Sequence, residues 1–111
     1  MDMETRDLAD GVGLLALGGR LNMVSAPGVK AAIDELIGGG RPRVVVDLSS
    51  VSFMDSSGLG ALVAGLKRAR QAQGDLRISG ANEQVLTVLR LTNLDRVLRP
   101  RDTVEEAGRD W

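Results

Sequence analysis

Residues Arg43 to Gly60 read RVVVDLSSVSFMDSSGLG, and this stretch decides the fold class. Three consecutive valines, Val44 to Val46, make a run too apolar for a strand with one wetted face. They predict a strand from Arg43 to Leu48 covered on both sides, as in a sheet flanked by helices. Further along, Leu59, Leu62, Val63 and Leu66 recur at the spacing of an amphipathic helix that begins near Ser57. Lys67, Arg68 and Arg70 gather towards its far end, where the helix dipole favours positive charge. A buried strand running into a helix is a building block of an α/β fold.

Working outward, the same grammar repeats. Upstream, Ser25-Ala26-Pro27 reads as a helix start, with Ser25 accepting from a free backbone N–H and Pro27 tolerated in the first turn. Val29, Ile33, Leu36 and Ile37 follow at helical spacing, and Gly38-Gly39-Gly40 ends that helix. Gly13 to Arg20 (GLLALGGR) reads as a strand, and the weakly alternating Glu4 to Ala9 as an edge strand before it. Downstream, Gly74 closes the central helix, Asp75 to Gly80 (DLRISG) gives another strand, and Asn82 caps a third helix bearing Val85, Leu86 and Leu89. Val97 and Leu98 are expected as a last strand stopped by Pro100. Thr103-Val104-Glu105-Glu106 has the form of a capping box for a short terminal helix, and Trp111 is expected to be frayed or loosely docked. The order predicts a mixed sheet whose later strands run parallel through helical crossovers. No linker or repeat divides residues 1–111, which are expected to form a single domain.

Composition removes whole classes of chemistry. The chain has 111 residues with no Cys and no His. That excludes Cys or Ser–His nucleophilic sites, disulfides and the usual nitrogen and sulfur ligands of zinc, haem and iron–sulfur centres. No cofactor is expected. The formal net charge of −1 leaves no basic footprint for direct nucleic-acid binding. The start, Met1-Asp2-Met3-Glu4, lacks the order of a secretory signal, and no apolar run has the length for membrane insertion. A cytoplasmic location is expected. Glycine, at 14 of 111 residues, is nearly twice its average share of about 7% and points to tight turns or close backbone approaches. Such a chain is suited to bind and be modified rather than to catalyse.

The informative segment is Phe53-Met54-Asp55-Ser56-Ser57-Gly58-Leu59-Gly60. Phe53 and Met54 are apolar enough to anchor a loop against the core. Asp55, Ser56 and Ser57 are the residue types that cap helices, and capping alone accounts for them. It leaves unexplained two glycines in the first helical turn, each costing about 1 kcal/mol relative to Ala. Gly58 and Gly60 read as residues that keep the turn sterically bare for another molecule.

This octapeptide closely resembles the phosphorylation loop of the anti-sigma factor antagonists, the stand-alone members of the STAS domain family. The resemblance extends over nearly the whole chain. Gly19-Arg20-Leu21-Asn22 with Ser25-Ala26-Pro27 is similar to the family's first loop and helix start. Val45-Val46-Asp47-Leu48-Ser49 is similar to its central strand, and Gly80-Ala81-Asn82 and Leu91-Thr92-Asn93-Leu94 to its third-helix region. It implies a STAS-like α/β fold: a mixed four- to five-stranded sheet with helices packed mainly on one face. It implies two partners, an anti-sigma factor serine kinase and a serine phosphatase. The unphosphorylated antagonist binds the kinase and releases the sigma factor; phosphorylation of the serine after the loop Asp ends that contact. On this chain the phosphoacceptor is Ser56, and the implied partner-binding residues are Asp55, Ser57, Gly58, Leu59, Gly60, Asn22, Met23 and Ser25. Many relatives carry Asp where this chain has Asn22, which removes a charge from the first loop. The alternative is a STAS scaffold or a subunit of a transport, lipid-trafficking or stress-signalling complex without a serine switch.

Other signals carry less. Gly11-x-Gly13-x-x-Ala16 fits a dinucleotide fingerprint formally, but the residues after it read as strand, not helix. Asp47 ends an apolar strand as a receiver phosphoaspartate would, yet the acidic cluster and late Lys that receivers need are absent. Asp47 and Asp55 as a catalytic carboxylate pair is weaker than a local capping role for each.

Overall fold

In the computed structural model, which describes residues 1–109 and 111, the chain forms a mixed α/β layer structure. Strand β1 (Asp2–Asp7) leads through a 3-10 turn at Ala9–Gly11 into β2 (Gly13–Leu21), then α1 (Ala26–Gly38) and β3 (Arg43–Met54). Helix α2 (Ser56–Gln71), β4 (Asp75–Ser79), α3 (Glu83–Leu91), α4 (Asp95–Leu98) and α5 (Val104–Ala107) complete it. The four strands lie in sequence order, β1-β2-β3-β4. β1 is antiparallel to β2, whereas β2, β3 and β4 run parallel through the crossovers α1 and α2.

The valine run explains this arrangement. Val44 and Val46 face α1 and α2 with Leu15, Leu17, Leu48, Leu76 and Ile78, while Val45 faces the other way. On the first face, Val29, Ile33 and Leu36 of α1 and Leu62 and Leu66 of α2 close the principal core. Gly65 of α2 permits the tight crossing: a Cβ there would lie 2.8 Å from Ile33 Cδ1 and 3.1 Å from Leu76 Cδ1. On the second face α5 covers Val12, Leu14 and Val45. Arg77, 3% exposed, reaches the same side. It donates to the carbonyls of Ala107 and Arg109, and its guanidinium stacks 4.2 Å over the Trp111 ring. Trp111 also donates its indole N–H to Gly108 O at 2.8 Å. The terminal tryptophan is therefore pinned by a cation–π stack rather than frayed.

Most elements form where the sequence places them, with four differences. β1 starts at Asp2 and ends at Asp7, earlier than expected. β3 continues past Leu48 to Met54, so Val51 to Met54 are strand and not loop, because β2 offers a partner as far as Leu21↔Met54. Val97 and Leu98 belong to the short helix α4, not to a fifth strand. Leu98 is fully buried in the principal core, and the edge of β4 at Ser79 is taken by an isolated bridge to Arg101. Ser25 precedes α1, but its hydroxyl does not cap the helix. It turns back to accept from Asn22 N–H at 3.0 Å and donate to Arg20 O at 2.8 Å.

Candidate functional site

The parallel β3–α2 connection puts the polar segment where a chain leaving a buried strand must turn. Met54 is fully buried, and one residue later Asp55 has extended backbone and becomes the N-cap of α2. Its carboxylate accepts from Gly58 N–H at 2.9 Å, satisfying one of the four amides that a helix start leaves free. Asp55 N–H in turn donates to Leu21 O at 3.2 Å, tying the turn to the end of β2. Ser56, the first helical residue, is exposed, and Ser57 is half-buried. The amides of Ser56 and Ser57 belong to the helix's first turn, where no carbonyl lies one turn back and the dipole's positive end emerges.

The two glycines part company. Gly58 is buried, and a Cβ there would sit 2.3 Å from Leu21 O and 2.6 Å from Leu21 Cγ. It lets α2 lie against the end of β2. Gly60 is exposed, with nothing within 4 Å of a built Cβ. The expected bareness therefore holds for Gly60 and not for Gly58. Leu59 likewise lies in the core, so Gly58 and Leu59 seat the loop from below while Ser56 and Gly60 form its surface.

A second polar turn lies beside the first. Asn22 Oδ1 accepts from Val24 N–H at 3.0 Å and from Ser25 N–H at 3.2 Å. With the Ser25 hydroxyl, these bonds fix Asn22 to Ser25 as a knot whose tip holds Met23 at 72% and Val24 at 86% exposure. Leu21 joins the two turns, since its carbonyl takes the Asp55 amide and its next residue is Asn22. Val24 escaped the sequence reading, although an apolar pair within a polar turn was its visible signal. Phe53 does not anchor the loop from below as expected. It lies half-buried on the sheet, 4.8 Å from the guanidinium of its cross-strand partner Arg20. Asp47 and Asp55 are engaged separately: Asp47 accepts from Ser49 N–H within β3, and Asp55 from Gly58 N–H at the start of α2. Among the described residues no group of three or more potential ligands could hold a metal ion, and no helix is long and apolar enough to cross a membrane.

Comparison with known proteins agrees with this geometry. The family model for the STAS domain matches residues 3–107. An anti-sigma-B factor antagonist from Listeria monocytogenes is 30% identical over 88 residues, 79% of this chain and 77% of that protein. The crystal structure of a candidate anti-sigma factor antagonist from Thermotoga maritima superposes with a TM-score of 0.87 at 34% identity, covering 95% of this chain and 90% of the other. The Bacillus protein SpoIIAA, at 20% identity, shares the fold in its unphosphorylated form, with a TM-score of 0.82 over 96% of this chain and 89% of its own. Its phosphorylated form gives a TM-score of 0.75 over 96% of each. A mixed four-stranded sheet, a serine at the exposed tip of its second helix and a match over residues 3–107 place this chain in the STAS domain family, among relatives that are anti-sigma factor antagonists.

Proposed function

We propose that this chain is a cytoplasmic anti-sigma factor antagonist that works by partner switching. Unphosphorylated, it binds an anti-sigma factor serine kinase and so releases the sigma factor. The kinase then transfers phosphate to the Ser56 hydroxyl, the complex separates, and a serine phosphatase restores the starting form. The observation that carries this reading is the exposed Ser56 at the first position of α2, immediately after the N-cap Asp55. That a fold neighbour exists in both unphosphorylated and phosphorylated forms supports it.

The chemistry suits the position. A phosphate on Ser56 adds about −1.5 to −2 charges and three acceptor oxygens. At the tip of α2 the first-turn amides and the dipole favour that charge by about 0.3–1 kcal/mol. Nothing in the fold has to move. A docked partner meets a different balance, because a dianion beside the Asp55 carboxylate must lose its hydration within the contact. Each 1.4 kcal/mol of that penalty weakens binding about tenfold. Met23 and Val24 supply the apolar part of the same face, with Asn22 and Ser25 holding them out, and Gly60 leaves room beside the hydroxyl.

Incubation with the anti-sigma factor kinases of the source organism and ATP, followed by mass spectrometry, tests the proposal. One phosphate on Ser56 is expected, and none on Ser56→Ala. In binding assays Ser56→Ala should hold the kinase persistently, while Ser56→Asp should bind at least tenfold more weakly. Equal binding by the two variants would reject the switch.

A further inference from the structure

β3 is longer than the strand on its other side. It pairs with β2 as far as Leu21↔Met54, but with β4 only as far as Asp47↔Ser79. Beyond Asp47 the β4-facing edge of β3 needs other partners for its backbone, because buried peptide groups must be satisfied. The first turn of α3 supplies them. Asn82 caps α3 through Oδ1, which accepts from Val85 N–H at 2.9 Å. Its Nδ2 donates to the carbonyls of Val51 at 3.2 Å and Ser52 at 3.3 Å. Gln84 does more. Its Oε1 accepts from Met54 N–H at 2.8 Å, and its Nε2 donates to Met54 O at 2.8 Å.

A primary amide carries the same donor and acceptor as a peptide unit, so Gln84 pairs with Met54 as one residue of a neighbouring strand would. The peptide that follows Met54 is then held from the opposite edge, where Asp55 N–H donates to Leu21 O at 3.2 Å. Between them β2 and Gln84 grip the backbone immediately before the N-cap of α2. Ser56 is two residues beyond Met54, with no flexible spacer between.

We infer that Gln84 is a positioning residue for Ser56: its side-chain amide fixes the backbone from which the phosphoacceptor is presented, and so makes α3 part of the switch. The inference rests on the partner-switching reading above. Phosphoryl transfer depends chiefly on placement of the attacking hydroxyl, so loosening the clasp should slow transfer more than it weakens docking. Docking also draws on Met23, Val24 and Gly60, which the clasp does not touch.

The test compares Gln84→Leu, which loses both bonds at similar size, with Gln84→Glu, whose carboxylate can accept from Met54 N–H but cannot donate to Met54 O. Two measurements are made on the whole chain: amide exchange along β3 by NMR, and the kinetics of Ser56 phosphorylation by its kinase with ATP. Each bond is worth a factor of about five in local opening, so with both lost the Met54 amide should exchange roughly 25-fold faster in Gln84→Leu, with Val44 to Val46 unchanged. Maximal phosphorylation rate should fall about tenfold while KM stays within about twofold, and Gln84→Glu should fall between Gln84→Leu and the unaltered chain. Unchanged Met54 exchange, an unchanged maximal rate, or equal acceleration of every β3 amide would each overturn the inference. Failure of the unaltered chain to be phosphorylated would reject the switch reading instead, and Met54 exchange would still decide whether the clasp exists.

Discussion

Gly58 and Gly60 stand two residues apart in the first turns of α2 and face opposite worlds. Gly58 has Leu21 O and Leu21 Cγ where its Cβ would be, whereas Gly60 has open space. From sequence alone they are the same sacrifice of helix propensity for the same end. In the structure one closes the helix onto the sheet and the other leaves a surface bare beside Ser56. The comparison teaches that this small site has an inner side, which sets where the hydroxyl sits, and an outer side, which decides what can approach it. Changes on the inner side should register first as stability, and changes on the outer side as binding.

The largest expected effect tests the inner side. In Gly58→Ala the new methyl meets backbone, which cannot swing away as the end of a side chain would. Forcing atoms into so tight a contact costs about 1–3 kcal/mol and sometimes more. The upper part of that range applies here, so the thermal midpoint should drop by roughly 10 °C or more for a domain of this size. A drop below about 3 °C in a thermal melt would mean that α2 can lift from β2 freely, and the distinction between the glycines would dissolve.

Asp55→Ala should come next. It removes the acceptor for Gly58 N–H and with it about 1 kcal/mol of stability. Asp55→Asn keeps an acceptor of the same shape and should recover most of that loss by urea denaturation. If Asn recovers stability and also relieves the repulsion that separates phosphorylated chain from kinase, the Asp55 charge serves the outer side and its shape the inner. If Asn is as unstable as Ala, the inner side needs the carboxylate's charge as well as its shape.

The outer side is sharpened by Met23 and Val24. Because both are mostly exposed, Met23→Ser with Val24→Ser should change stability by less than about 0.5 kcal/mol. Burying two such side chains in a partner contributes about 1.5–3 kcal/mol each, so calorimetry should show kinase affinity falling by tenfold or more. Undiminished affinity would remove the first loop from the docking face.

How much of this was legible in the chain depends on the reach of each interaction. The valine run, the Leu59, Leu62 and Leu66 stripe, and the caps at Asn82 and Thr103 act within one element, and each stands where its spacing places it. The exposed Ser56 followed from its position at a helix start. Interactions between distant residues were another matter. Gln84 and Met54 lie 30 positions apart, and no local pattern marks a glutamine that completes a strand. The burial of Gly58 depends on where Leu21 ends β2. Val97 and Leu98 misled because two apolar residues before a proline suit a strand or a helical turn equally well, and packing of Leu98 into the core settled it. Ser25 misled because its hydroxyl accepts from Asn22 N–H, three residues earlier, instead of from an amide of the helix's first turn.

Gly60→Ala is the one substitution expected to raise stability, and it cuts most finely between the two sides. Alanine is about 1 kcal/mol better than glycine inside a helix, partly because it restricts the unfolded chain. With nothing within 4 Å of its Cβ, the variant should gain roughly 0.5–1 kcal/mol and melt a few degrees higher. If the outer side is a docking surface, the same methyl should stand between the kinase and Ser56. Phosphorylation would then require more chain for half-maximal rate while the chain itself is more stable. A structural role for Gly60 predicts the reverse, lower stability with unchanged kinetics. A variant at once sturdier and more weakly bound would show that this glycine is kept for contact with another molecule rather than for the fold.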